Sequence, residues 1–228
     1  MNNYFQNRGR SISTVVLVLV VIIVLQASIS YSTTFGRLAS FIPDIVGNQV
    51  LTGWLGLRIL LIVVAIVLWI LNRKRQLFKA IIFINGVLTF GLIMNLMALG
   101  DVLFGISSQA IKALLADVLF MAVSNILIFS IWYWIIDPPG VEETQRLDAP
   151  WDFLFPQRAD SLPHYESWTP RFTDYLSLAF TTSFAFSPTD ALPLSRRAKL
   201  LMLLQSAISI ITLTAIAGSA INILAGSG

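Results

Sequence analysis

Apolar residues run in five long stretches along the chain, at roughly 12–29, 54–71, 77–99, 111–136 and 198–224. A helix that crosses a bilayer needs about 20 mostly apolar residues, because the hydrocarbon layer is about 30 Å thick and each residue rises 1.5 Å. All five stretches qualify. Lipid offers no hydrogen bonds, so each must be a helix whose backbone groups pair internally. A sixth apolar stretch, 172–186, is too short for a comfortable crossing and lies between Pro170 and Pro188. That length predicts a re-entrant or interfacial piece. The expected fold class is an all-α integral membrane protein with about five transmembrane helices, plus a short re-entrant helix and loop before the last span.

The segment 137–171 breaks this pattern. It holds six of the nine prolines and seven acidic residues from Asp137 to Glu166, interleaved with Trp151, Phe153, Phe155, Tyr165 and Trp168. Proline at that density resists helix, which predicts an extended connector. Its aromatics suit the headgroup zone, which reads as an interfacial linker, with an arm that docks a protein partner as the alternative. The chain thus divides into a four-helix transmembrane region at 1–136, a connector at 137–171, and a short helix, loop and final span at 172–228.

Composition supports the membrane reading. Hydrophobic residues make up 56% of the chain and charged residues only 12%, about half the usual share of a soluble domain. A soluble enzyme is excluded on that ground. There is no cysteine and a single histidine, His164, so no metal centre and no cofactor are expected. The net charge of +3 is read by position, as an orientation signal and not as a nucleic-acid footprint. Arg8 and Arg10 precede the first span, Arg73, Lys74, Arg75 and Lys79 crowd the turn between the second and third, and Arg196, Arg197 and Lys199 open the last. A cytoplasmic N-terminus places all three clusters inside. The first span reads as an uncleaved anchor, since Ala27-Ser28-Ile29 makes a poor signal cleavage site.

Polar groups inside spans are costly and therefore candidates for function. Arg58 and Asp117 lie inside the second and fourth spans, and an ion pair between them is expected. Asn85, Thr89 and Asn95 put polar groups along the third span, while Ser124 and Asn125 share a face with Asp117. Hydrogen bonds between helices are their ordinary use, with a polar cavity as the alternative. Small residues at Ala215, Gly218 and Ser219 suit close helix packing within the chain or between subunits.

From Tyr175 to Leu224 the chain resembles the pore-helix, filter and inner-helix unit of tetrameric potassium channels. Tyr175-Leu176-Ser177 matches the start of the pore helix, and Thr181-Thr182 the paired threonines that enter the filter. Pro193 and Arg197 match the proline and basic residue beyond it, after about three extra residues. Where the channels carry V-G-Y-G-D, this chain has Ser183-Phe184-Ala185-Phe186-Ser187. Those glycines adopt backbone angles that other residues reach only at a cost, so a potassium-selective filter is not expected. A longer stretch, 53–224, is similar to an uncharacterised family of bacterial inner-membrane proteins. The likeness rests on Phe155-Pro156 in the connector, the Thr182-Ser183-Phe184 turn and the Ser195-Arg196-Arg197 cap.

This resemblance implies an integral protein of a bacterial inner membrane, assembled as a homo-oligomer, a tetramer if channel-like. Thr181, Thr182, Ser183, Phe184, Ala185, Phe186 and Ser187 would line a path, with Asp190 as a ring of negative charge. Phe184 or Phe186 would form a hydrophobic constriction. Two functions follow: an ion or small-solute pore without potassium selectivity, or a non-conducting subunit or scaffold that keeps a channel-like fold. Potassium channels insert their pore loop from outside, whereas the basic clusters place this loop on the cytoplasmic side. A cytoplasmic re-entrant loop, a full crossing at 172–192 and a misleading charge bias all remain open.

Overall fold

The computed structural model describes residues 3–29, 44–103, 111–137, 151–159, 168–185 and 191–225. These fold into long helices α1 (Asn3–Ala27), α2 (Asp44–Ile70), α3 (Lys74–Leu103) and α4 (Ile111–Ile136). A two-residue strand β1 (Phe153–Leu154), a one-turn helix α5 (Pro156–Ala159), a helix α6 (Phe172–Ala185), a strand β2 (Leu192–Pro193) and the long helix α7 (Arg196–Ala225) follow. Among the described residues three stretches are long and apolar enough to cross a membrane: Lys74–Leu99, Leu115–Ile136 and Arg196–Gly218. Helices α1 and α2 add shorter apolar stretches, Ser11–Ala27 and Gly56–Ile70.

Local chemistry sets the turns. After α2 the chain reverses at Asn72, which holds a left-handed φ of 51°. Asparagine tolerates that conformation, and two bonds close the helix end: Asn72 N–H to Trp69 O at 3.1 Å and Arg73 N–H to Leu68 O at 3.1 Å. This is the Schellman pattern, which satisfies carbonyls that the helix leaves open. With so short a turn, α3 must run back along α2. The start of α7 is capped by Ser195, whose Oγ accepts from Ala198 N–H at 3.1 Å, the usual service of a serine at that position.

Helix α4 is the axis of the bundle. Apart from Asp117, Ser124, Asn125 and Ser130 its residues are almost all apolar, which suits a packed span, and α7, α6, α3 and α1 all pack on it. Its C-terminal end gathers its neighbours. Tyr175 OH, near the start of α6, donates to Asp137 Oδ2 at 2.6 Å, and Arg197 Nη2, at the start of α7, donates to Ile136 O at 3.3 Å. Farther along, Asn125 bonds to Ser209. Helices α6 and α7 therefore run parallel to each other and antiparallel to α4. The Phe78 and Trp134 rings, 5.8 Å apart, bring the α2–α3 turn to the same end. Exposed Arg73, Lys74, Arg75, Lys79, Arg196, Arg197 and Lys199 thus share one end of the bundle.

The outer surface is apolar. Ile59, Leu60, Trp69 and Ile70 on α2, Phe83 and Phe90 on α3, and Leu200, Leu203 and Ile210 on α7 are all exposed. In water so much exposed hydrocarbon would drive aggregation, whereas in lipid it is the contact surface. The membrane reading accounts for it.

Two sequence expectations need correction. The connector is not extended throughout: Phe153–Leu154 pairs antiparallel with Leu192–Pro193, and Pro156 opens α5, where its missing N–H costs nothing. Two of its aromatics, Phe153 and Phe155, are buried in the bundle, while Trp151 and Trp168 are half-buried. Phe153 meets Tyr133 edge-on at 5.1 Å, and Phe155 meets Tyr175 at 5.7 Å and Trp168 at 5.6 Å. The second correction concerns the Thr182-Ser183-Phe184 turn, which belongs to α6. The helix continues to Ala185, and within it Thr181 and Thr182 turn their hydroxyls back on Ser177 O and Leu178 O at 3.0 and 2.7 Å, so that neither hydroxyl is left to compete for the backbone in a turn.

Candidate functional site

The site is built around α6, which is held at both ends. At the α4 terminus lies a hub of two aspartates. Asp137 Oδ1 accepts from the backbone N–H of Asp152 at 3.0 Å and of Phe153 at 3.2 Å. Its Oδ2 accepts from Arg158 Nη1 at 2.9 Å and from Tyr175 OH at 2.6 Å. A carboxylate offers about four acceptor positions, and this one fills them. Arg158 also donates to Phe153 O at 3.0 Å and lies over the Trp151 ring at 5.0 Å, a cation–π contact. Asp152 accepts from Arg197 Nε at 2.6 Å and Nη2 at 2.5 Å, and from Ser195 Oγ. The strap 151–159 thereby joins the end of α4 to the starts of α6 and α7.

The inner end of α6 is held by α7. Gln205 Nε2 donates to Ala179 O at 2.7 Å and to Ser183 Oγ at 2.8 Å, and Tyr133 OH donates to Gln205 Oε1. Asn125 Nδ2 donates to Ser209 Oγ at 2.8 Å. This polar seam lies among apolar side chains, where each bond counts for more and each orphan atom costs more than in water. A shallow pocket of about 10 Å3 sits beside it, lined by Ala122, Ile126, Ser183, Phe184, Ser209, Thr212 and Leu213. That is room for about one water molecule.

The residues singled out by sequence fall into three groups. Thr182 and Ser183 are buried in the seam, whereas Phe184 and Ala185 are exposed and Thr181 is half-buried. Phe180 and Phe184 stack with centroids 4.7 Å apart on the outer face of α6. Phe186, Ser187, Asp190 and His164 lie outside the described residues. Among the span residues, Asn85 Nδ2 donates to Ile128 O at 3.2 Å, Thr89 Oγ1 donates to Asn85 O at 2.6 Å, and Trp132 donates to Thr89 Oγ1 at 2.8 Å. Asn95 is buried, and its Nδ2 has no partner among the described residues; the same holds for Asn85 Oδ1, Asn125 Oδ1 and Ser124 Oγ. Arg58 and Asp117 are both buried, and each has an interaction partner. Their helices do not pack broadly on each other, for α2 lies against α3 and α1. Ala215 is buried in the bundle, but Gly218 faces open space, with nothing within 4 Å of where a Cβ would lie.

Three polar residues central to this arrangement carry no motif: Gln205, Tyr133 and Gln26. Gln26 on α1 donates to Leu88 O at 2.9 Å, and its Oε1 lies 3.2 Å from the position a Cβ would take on Gly91. The available signal was a lone amide inside an apolar run, which marks a buried interhelical contact. A comparison of the chain with protein-family models, with curated proteins and with solved structures finds no match.

Proposed function

We propose that the chain is a channel-like integral membrane protein with five spans (α1, α2, α3, α4 and α7) in which α6 makes a half-crossing. The observation that carries this reading is that the start of α6 is bonded to Asp137 at the end of α4, through Tyr175, while Leu194 and Ser195 after it are bonded to Asp152, whose own N–H is bonded to Asp137. Helix α6 has 14 residues, about 21 Å of length, too short to cross about 30 Å of hydrocarbon. The basic residues clustered at that end support a cytoplasmic origin for the dip and a cytoplasmic N-terminus in a bacterial inner membrane. A helix that ends at mid-depth leaves its last carbonyls open, and these need protein or water, not lipid. Several copies arranged about an axis, with the Phe180–Phe184 face turned inward, meet that need. Such an assembly passes ions or small solutes without potassium selectivity, and the phenylalanines are its constriction.

A second reading is favoured by a specific observation: Thr182 and Ser183 are buried and bonded inside a single chain, as in a scaffold that conducts nothing. Flux from proteoliposomes separates the two. The pore reading expects Phe184→Ala or Phe186→Ala to raise cation or solute leak several-fold over the parent. Silence of the parent and of both variants would leave the scaffold, with the connector 137–171 as its docking surface for a protein partner.

A further inference from the structure

We infer that the strap 151–159 is a latch, and that the Arg197–Asp152 pair is its releasable half, whose opening frees the inner end of α6 from α7. The hub has two halves of unequal access. In the Asp137–Arg158 pair the side chains are 0% and 4% exposed, whereas in the Asp152–Arg197 pair Asp152 is 0% and Arg197 62% exposed. Water and salt reach the second pair and not the first. The inner half fixes the strap to α4 and, through Tyr175, to the start of α6. The outer half fixes it to α7, where Asp152 also accepts from Ser195, the residue that caps α7. Leu194 N–H adds a bond to Asp152 O at 2.8 Å. Gln205 lies eight residues beyond Arg197 on the same helix, about 12 Å along a rigid rod, and it holds Ala179 and Ser183 of α6. Loss of the outer pair releases the first turns of α7 while α6 stays moored at Tyr175. Relative movement of the two helices then falls on the Gln205 bonds. The latch does not depend on conduction, so it stands or falls separately from the pore reading.

The test uses the cysteine-free chain. Ala179→Cys places a thiol at a fully buried point of the α6–α7 contact, with Thr173→Cys as an exposed control on the same helix. Purified full-length protein is labelled with a small neutral maleimide. Arg197→Gln and Asp152→Asn should each speed labelling at Ala179→Cys about fivefold, the scale of a half-exposed ion pair. Labelling at Thr173→Cys should not change. Arg171→Gln, an equal loss of charge beside the hub, should leave both rates unchanged. If the variants do not fold, raising salt from about 0.05 to about 1 M on the otherwise unaltered protein shortens the screening length to about 3 Å and should produce the same rise. Labelling at Ala179→Cys that is insensitive to both the variants and salt overturns the latch. So does a rise matched by Arg171→Gln.

Discussion

A buried carboxylate persists in an apolar bundle only when every acceptor position meets a donor, because the charge has lost its water. Asp137 meets that condition through two backbone N–H groups, Arg158 and Tyr175. Asp137→Asn should therefore cost about 3–5 kcal/mol, since it strands a buried arginine. Arg197→Gln should cost less, about 1–2 kcal/mol, because water can take the place of a guanidinium that is 62% exposed and reach the Asp152 carboxylate beneath it. Thermal unfolding in detergent orders the two, and equal losses would contradict the unequal halves of the hub. Gln205→Leu removes donors and an acceptor from Ala179, Ser183 and Tyr133 at once and should cost about 2–3 kcal/mol by the same measurement. Arg58 and Asp117 are a separate case. An ion pair between them requires Arg58→Gln with Asp117→Asn to be no worse than either single variant. Additive losses would mean that each answers to other groups.

At the scale of the element, the α2–α3 hairpin is specified by one residue. Asn72 occupies the left-handed region, where a glycine would be unstrained and a β-branched residue would not. Asn72→Gly should be neutral within about 0.5 kcal/mol, and Asn72→Val should lose about 1–2 kcal/mol. The long helices were legible because lipid and bundle packing impose a length and a hydropathy that composition alone reveals. Helix α6 was legible only as a short apolar stretch. Its last turn was missed because Ser, Thr and Phe in a row suggest a turn, while the hydroxyls of Thr181 and Thr182 find helical carbonyls and Ser183 finds Gln205. The strap was missed for a related reason. Its prolines do preclude a long helix, but tertiary partners on α4 and α7 give it a strand pair and a single turn.

For the molecule as a whole, the hydrophobic pattern predicts the helical membrane-type bundle, and the basic residues of the α2–α3 turn and of the start of α7 gather at one end of it. The contacts that hold α6 and the strap were not legible, since they join residues far apart in sequence, such as Tyr133 with Gln205 and Asp152 with Arg197. The central claim is that the chain enters with α6 and leaves before α7 at one face of the membrane. Single cysteines at Thr173 and Leu194, both exposed, bracket that segment. Gln76 in the basic turn and Asn48 at the opposite end of α2 serve as references, and an impermeant thiol reagent is applied to each face in turn. The half-crossing predicts that Thr173→Cys and Leu194→Cys label from one face, that of Gln76→Cys, while Asn48→Cys labels from the other. Labelling of Thr173→Cys and Leu194→Cys from opposite faces would contradict it and make 172–192 a full span.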